Sequence, residues 1–259
     1  MIERYLTQTQ FNSYDDFCKN LHIVVPERFN FAYDVVDRMA ADEPDRPALL
    51  WTDENGAERR FTFAEISELS DRTAAFFQSL GIGRADRVML ILKRHWQFWT
   101  SMMALHKLGA VAIPATHLLT PKDIVYRCHK AHIKMIVAAG DEDIVSHVSA
   151  ALPRCQSVKW LVSTGPVVPR GWLDLDRSVE KAPAFRRPQP ANDNSDTMLL
   201  YFTSGTSGEP KMVAHDFLYP LGHIITGKYW HNLDENSLHL TLADTGWGKA
   251  VWGKLYGQW

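Results

Sequence analysis

An α/β fold, with parallel-sheet layers flanked by helices, is what this sequence predicts, and three observations carry the prediction. Short unbroken apolar runs stand at 88–92, 111–113 and 135–138, a further strand reads at 158–162, and intervening stretches separate them, most of helix length. Strands covered by helices on both faces have this uninterrupted apolar character, whereas half-exposed strands alternate. The 259 residues, 46% hydrophobic and 22% charged, form an ordinary globular composition that excludes a wholly disordered chain.

The elements follow in order. Residues 1–47 are a mixed polar lead-in; Phe29, Phe31, Val35, Val36 and Met39 predict a helix near 31–41, stopped by Pro44 and Pro47. Residues 48–52 and 59–63 read as a hairpin across Asp53, Glu54, Asn55 and Gly56. Thr62 and Glu65 have capping-box spacing and open a helix with Ile66, Leu69, Phe76, Phe77 and Leu80 on its buried stripe. Strands at 88–92 and 111–113 flank a helix over 95–108, whose Trp96, Trp99 and Met103 stripe belongs to the core. Thr120, Pro121 and Asp123 supply an N-cap, a first-turn proline and a first-turn acid for the next helix. A strand at 135–138, a helix over 141–151 and a strand at 158–162 complete the alternation. Residues 181–196 hold three prolines and two arginines and read as a linker or surface crossing. The expected organisation is therefore a lead-in (1–47), a first α/β subdomain (48–180), a linker (181–196) and the start of a second subdomain (197–259).

Charge and cysteine content narrow the function classes. Lys and Arg total 28 against 30 Asp and Glu, so no basic excess argues for a nucleic-acid surface. No apolar run is long enough to span a membrane, and the N-terminus lacks the layout of a secretory signal. Cys18, Cys128 and Cys155 form no Cys-x-x-Cys pair; so sparse a set suits reduced thiols in a cytoplasmic protein.

The chemistry concentrates at 201–211, where an apolar strand at 198–202 feeds the run YFTSGTSGEPK. Thr203, Ser204, Thr206 and Ser207 offer hydroxyls, Gly205 and Gly208 let the backbone curl toward an anion, and Lys211 adds a positive charge. Together they suit a polyphosphate cradle. The run is not a Walker A loop, which needs four residues between its glycines and a lysine directly after the second.

This stretch resembles the signature loop of the adenylate-forming enzymes: acyl-CoA synthetases, luciferases and peptide-synthetase adenylation domains. The run KLGAVAIP at 107–114 is similar to the family's helix-to-strand junction. Asp244-Thr245-Gly246-Trp247 resembles the segment beside the acyl pocket of acetyl- and medium-chain acyl-CoA synthetases. The resemblance implies an AMP-forming acid–thiol ligase using ATP, Mg2+ and coenzyme A on a small or medium carboxylic acid. It assigns Thr203, Ser204, Gly205, Thr206, Ser207, Gly208 and Lys211 to the β- and γ-phosphates, and Trp247 and Gly248 to the acyl side. It assigns no catalytic residue, because the family's adenine, ribose and magnesium motifs and its lysine-bearing C-terminal domain do not appear. The chain is expected to be an N-terminal portion, inactive alone. The alternative is an inactive nucleotide-binding or interaction module derived from the family.

Other candidates weigh less. Trp247 also suits an ordinary core position. His215, His223, His231 and His239 recur every eight residues, which is not metal-ligand spacing on one helix, and Cys128, His129 and His132 lack a second ligand cluster. Lys93 and Arg94 follow a strand and could meet coenzyme A phosphates, although such residues are more often solvated. Gly81 and Gly83 follow a helix and precede a strand, the reverse of a dinucleotide fingerprint. Trp252, Leu255, Tyr256 and Trp259 share one helical face, which is expected to be left exposed.

Overall fold

The computed structural model describes residues 1–203 and 208–259. Helix α1 (Tyr14–Asn20) starts where the Ser13 side chain accepts the Asp16 N–H. A wide helical turn, Ala32–Asp37, runs directly into α2 (Arg38–Asp42), so the helix predicted near 31–41 is present. Strands β1 (Pro47–Thr52) and β2 (Glu58–Thr62) pair antiparallel as a separate hairpin. Its turn is held by Asp53 Oδ1, which accepts the N–H groups of Asn55 at 2.9 Å and Ala57 at 2.8 Å. The capping box forms as read: Thr62 and Glu65 cap each other's backbone at the start of α3 (Phe63–Ser79).

The main sheet is built from β3 (Arg87–Ile91), β4 (Val111–Pro114), β5 (Met135–Ala139), β6 (Trp160–Thr164), β7 (Leu173–Asp174), β8 (Thr197–Thr203) and β9 (Lys211–Asp216). Its order is β7-β6-β5-β3-β4-β8-β9, parallel throughout except for the edge pair β8–β9. Helices α4 (Gln97–Lys107), α5 (Pro121–Ala131), α6 (Glu142–Ala151) and α7 (Leu175–Glu180) make the crossings. Thr120 and Asp123 cap α5 as their spacing predicts. Strand β6 starts two residues later than expected, because the Val158 N–H closes a turn onto Cys155 O at 3.0 Å.

Alternate residues of one strand feed two cores. Val88 and Leu90 point to the face packed with α3, α4 and α7. Met89 and Ile91 point to the face packed with α5 and α6. The β3–β4 crossing therefore runs over one face and the β4–β5 crossing over the other. The connections of β3 and β5 leave in opposite directions along the sheet, so the topological switch point, where open α/β sheets bind ligands, lies at the carboxyl ends of β3 and β5, beside β4.

Residues 181–196 hold no strand and no helix, and beyond them β8 joins the sheet through β4, with Ala112 opposite Leu199. The end of this segment is fastened by polar contacts. Asn192 Nδ2 donates to Phe29 O at 3.0 Å, Asn194 Nδ2 to Pro26 O at 2.8 Å, and Arg84 pairs with Asp193 and Asp196.

The C-terminal apolar face corrects the sequence expectation. After α8 (Tyr219–Ile225) and a long irregular stretch, α9 (Gly248–Val251) leads into a wide turn, Trp252–Tyr256. Leu255 and Tyr256 are buried in the main core, not exposed. Tyr256 meets Phe31 edge-on at 5.0 Å, and its hydroxyl lies 2.7 Å from His106 Nε2. Trp259 packs on Phe63 at 5.9 Å and donates its indole N–H to Ala48 O at 2.8 Å. The covering groups come from the first half of the chain, too far away in sequence for a local apolar pattern to disclose.

Candidate functional site

Strand β8 is buried from Met198 through Tyr201, and its ladder with β9 ends at the pair Thr203 and Lys211. The phosphate-loop candidate is thus the connection at the carboxyl end of β8. Thr203, Gly208 and Lys211 are exposed there, while Ser204, Gly205, Thr206 and Ser207 lie outside the described residues. Gly208 has φ +98°, a conformation open to glycine and strained for other residues. Helix α5 braces the base of the hairpin: Tyr126 donates its hydroxyl to Pro210 O at 2.9 Å, and the Arg127 guanidinium sits 5.1 Å over the Phe202 ring. Among the described residues Lys211 has no carboxylate partner, so its ammonium is available to an anion.

The Asp244–Trp247 segment lies across the neighbouring strand ends. Gly246 sits so close to Ala115 and Thr116 that an added Cβ would lie 2.0 Å from the Thr116 nitrogen. Thr245 donates its hydroxyl to Lys93 O at the end of β3. Asp244 caps this turn by accepting the Gly246 N–H at 2.9 Å, and its other oxygen meets His117 Nδ1 at 3.2 Å. The segment therefore lies across the carboxyl ends of β3 and β4. Extending the Ala112–Leu199 register four residues sets Thr116 level with Thr203, so this segment and the β8–β9 loop are neighbours at one end of the sheet.

Trp247 is 62% exposed, which removes the core-tryptophan reading and leaves its indole on the surface. Gly248 opens α9 with open space where a Cβ would stand. Spacing gave no sign of the groups gathered around Asp244, because His117, Arg94 and Lys254 come from three separate segments. Arg94 donates to Leu242 O at 3.2 Å. Burial, and the charge of Arg94, push the Lys254 ammonium down to about 8. Beneath them Tyr201 is fully buried, and desolvation drives its hydroxyl well above the ordinary range.

Other candidates resolve differently. Lys93 is paired with Asp141. Gly81 takes φ +75° at the end of α3, as a helix stop. The four regularly spaced histidines do come together, but through a chain of tilted, edge-on and stacked aromatic contacts. His215 lies 4.0 Å from Tyr219, Tyr219 lies 4.5 Å from His223, and Trp252 is sandwiched between His223 and His231. Among the described residues no group of three or more His, Cys, Asp or Glu is placed to hold a metal, and no helix is long and apolar enough to cross a membrane.

Comparison with known proteins agrees with this geometry. Residues 36–252 match the AMP-binding enzyme family. The chain is 32% identical over 263 residues to the mitochondrial acyl-coenzyme A synthetase ACSM3 of Pongo abelii, covering 99% of this chain and 44% of that protein. It is 34% identical over 242 residues to the mitochondrial ACSM4 of Mus musculus, covering 91% and 41%. A crystal structure of the anthranilate CoA ligase AuaEII in complex with anthranoyl-AMP superposes with a TM-score of 0.82 at 22% identity, covering 91% of this chain and 44% of that one. The chain thus spans less than half the length of these relatives. Its sheet, its hairpin loop and its agreement with the family over most of its length place it among the AMP-binding enzymes, the family to which this chain belongs.

Proposed function

We propose that the chain forms the phosphate-holding and part of the acyl-holding portion of an AMP-forming acid–thiol ligase. In the first step a carboxylate oxygen attacks the α-phosphorus of Mg-ATP. The bond to the bridging oxygen breaks and pyrophosphate leaves with that electron pair, giving acyl-AMP. In the second step the coenzyme A sulfur attacks the acyl carbonyl, the acyl–phosphate oxygen bond breaks, the thiol proton is lost and AMP departs.

The chain's own contribution is electrostatic. Negative charge grows on pyrophosphate as it leaves, and fixed N–H groups, hydroxyls and a lysine stabilise it without covalent participation. Thr203, Gly208 and Lys211, with Ser204, Gly205, Thr206 and Ser207, are assigned that role. Mg2+ enters with the nucleotide as substrate. Trp247 and Gly248 are assigned to the acyl side, where an exposed indole favours a small or medium carboxylic acid over a long fatty acid.

The observation that carries this reading is the Ser/Thr/Gly/Lys connection at the carboxyl end of β8, beside the Asp244–Trp247 segment that lies across the ends of β3 and β4. Carboxylate-dependent exchange of labelled pyrophosphate into ATP tests it in the protein that carries this chain. Exchange lost on Lys211→Ala, with AMP as product and thioester formed on adding coenzyme A, is the expected result. Release of ADP would assign a γ-phosphoryl transfer instead, and nucleotide binding without exchange would leave a binding module. Residues 1–259 alone are expected to show no turnover.

A further inference from the structure

We propose that Tyr126 is a positioning residue for the pyrophosphate loop: from α5 it fixes the peptide group that aims Lys211, and so sets how firmly that ammonium meets an anion. The inference rests on the phosphate-holding role assigned to Lys211 above. No local pattern marks Tyr126, which stands 84 residues before its partner Pro210.

The hairpin does little to hold its own outer limb. Thr203 and Lys211 form the last pair of the β8–β9 ladder, so the ladder stops where the loop begins. Strand β9 is the edge of the sheet, paired with β8 alone, and Lys211, Met212, Val213 and Ala214 are all exposed. Residue 210 is a proline, which has no N–H to give. Its carbonyl is the group left to hold, and Tyr126 donates its hydroxyl to it at 2.9 Å. Among the described residues, no other hydrogen bond ties 208–214 to chain outside the hairpin. The Pro210 carbonyl carbon is bonded to the Lys211 nitrogen, and the peptide between them is planar. Anchoring that oxygen sets the plane from which the Lys211 side chain departs.

The anchor itself is stiff. Ile124, Cys128 and Ala131 bury one face of α5 in the core on that side of the sheet, and Thr120 caps its start. Tyr126 leaves from another face, and its ring stands edge-on to Phe202 at 6.1 Å. Phe202 comes immediately before Thr203, and the Arg127 guanidinium covers its ring at 5.1 Å. One side chain on a packed helix therefore grips both limbs of the hairpin: the carbonyl before Lys211 and the ring before Thr203. Groups held from packed helices are placed more precisely than groups carried by loops alone. Tyr126 touches no phosphate in this scheme and acts through Lys211.

Tyr126→Phe keeps the ring and removes only the hydroxyl. Calorimetric titration with Mg-pyrophosphate, at a temperature where both chains are folded, should show affinity weakened about fivefold, the scale of one neutral hydrogen bond. Nitrogen-15 relaxation without ligand should show the Lys211 amide loosened in the variant. Its order parameter should fall below the rigid-backbone value of about 0.85, while that of Leu200 inside β8 holds. A tyrosine that served packing alone would lower the melting temperature and move neither readout. An unchanged Lys211 order parameter, or a loosened Lys211 with undiminished affinity, would overturn the proposal. Absence of pyrophosphate binding in the unaltered chain would instead remove the phosphate-holding reading, and this inference with it. That outcome is distinct from the others because it appears before any substitution is made.

Discussion

His106 is fully buried against Phe217 and Tyr256, and that burial holds its imidazole neutral down to about 3. An unfolded chain protonates the same ring near 6.5. Below that pH the unfolded state takes up a proton the folded state refuses. Stability present above 6.5 is therefore lost as pH falls toward 3, at up to about 1.4 kcal/mol per pH unit from this one group. His223, held down to about 4 by burial and by His215, adds a second decline over its own window. Urea unfolding at stepped pH should show stability falling steadily from pH 6.5 to 4.5, and His106→Phe should flatten the slope. Lys107 presents a converse case: its ammonium is fully buried between Asp37 at 2.7 Å and Asp71 at 2.6 Å. Burial already raises the Asp37 carboxyl, and Lys107 opposes that. Lys107→Met should cost about 3 kcal/mol by stranding Asp37, read as a lower urea midpoint with an unchanged slope. The sequence disclosed neither residue's importance. His106 and Lys107 sit in a helix whose apolar neighbours drew attention, and their partners are Tyr256, Asp37 and Asp71, brought close only by the fold.

Elements were more legible than contacts. The continuous apolar strands near 88–92 and 135–138, the Thr62 capping box and the Thr120 N-cap are local signals, and each is found within a residue of where its pattern sets it. Two features were not legible because they depend on distant chain. The face of Leu255 and Tyr256 is covered by Phe31, Phe63 and His106, and the tight fit of Gly246 is set by β4. The loop of 203–211 was read from its residues, whereas its place between two antiparallel strands follows from the pairing of β8 with β9, which no local pattern discloses. Gly246→Ala tests the element scale. The new methyl would meet the Ala115–Thr116 backbone, which cannot move aside as a flexible side chain could. Displacing the Asp244–Trp247 segment should destabilise the chain by at least about 1–3 kcal/mol. Gly248→Ala, where the space is open, should cost far less. Paired thermal melts check the difference, and equal melting of the two variants would mean the segment is not seated against the Ala115–Thr116 backbone.

At the scale of the whole molecule, one extended run sets three exposed leucines in a row. Leu238, Leu240 and Leu242 are 81%, 80% and 73% exposed, while His239 and Thr241 between them face the protein and bond to each other at 2.8 Å. A row of outward leucines at strand spacing invites association. Replacing Leu238 and Leu240 by serine should lower dye binding and concentration-dependent light scattering without lowering the melting temperature.

The task we propose for the hairpin connection at the carboxyl end of β8 is to hold the pyrophosphate end of a nucleotide. Calorimetric titration of the chain with Mg-pyrophosphate measures that task without requiring turnover. The account predicts saturable binding, weakened at least about tenfold by Lys211→Ala through loss of one charge-assisted contact. Binding of the same strength in the Lys211→Ala chain, or none in the unaltered one, would contradict it.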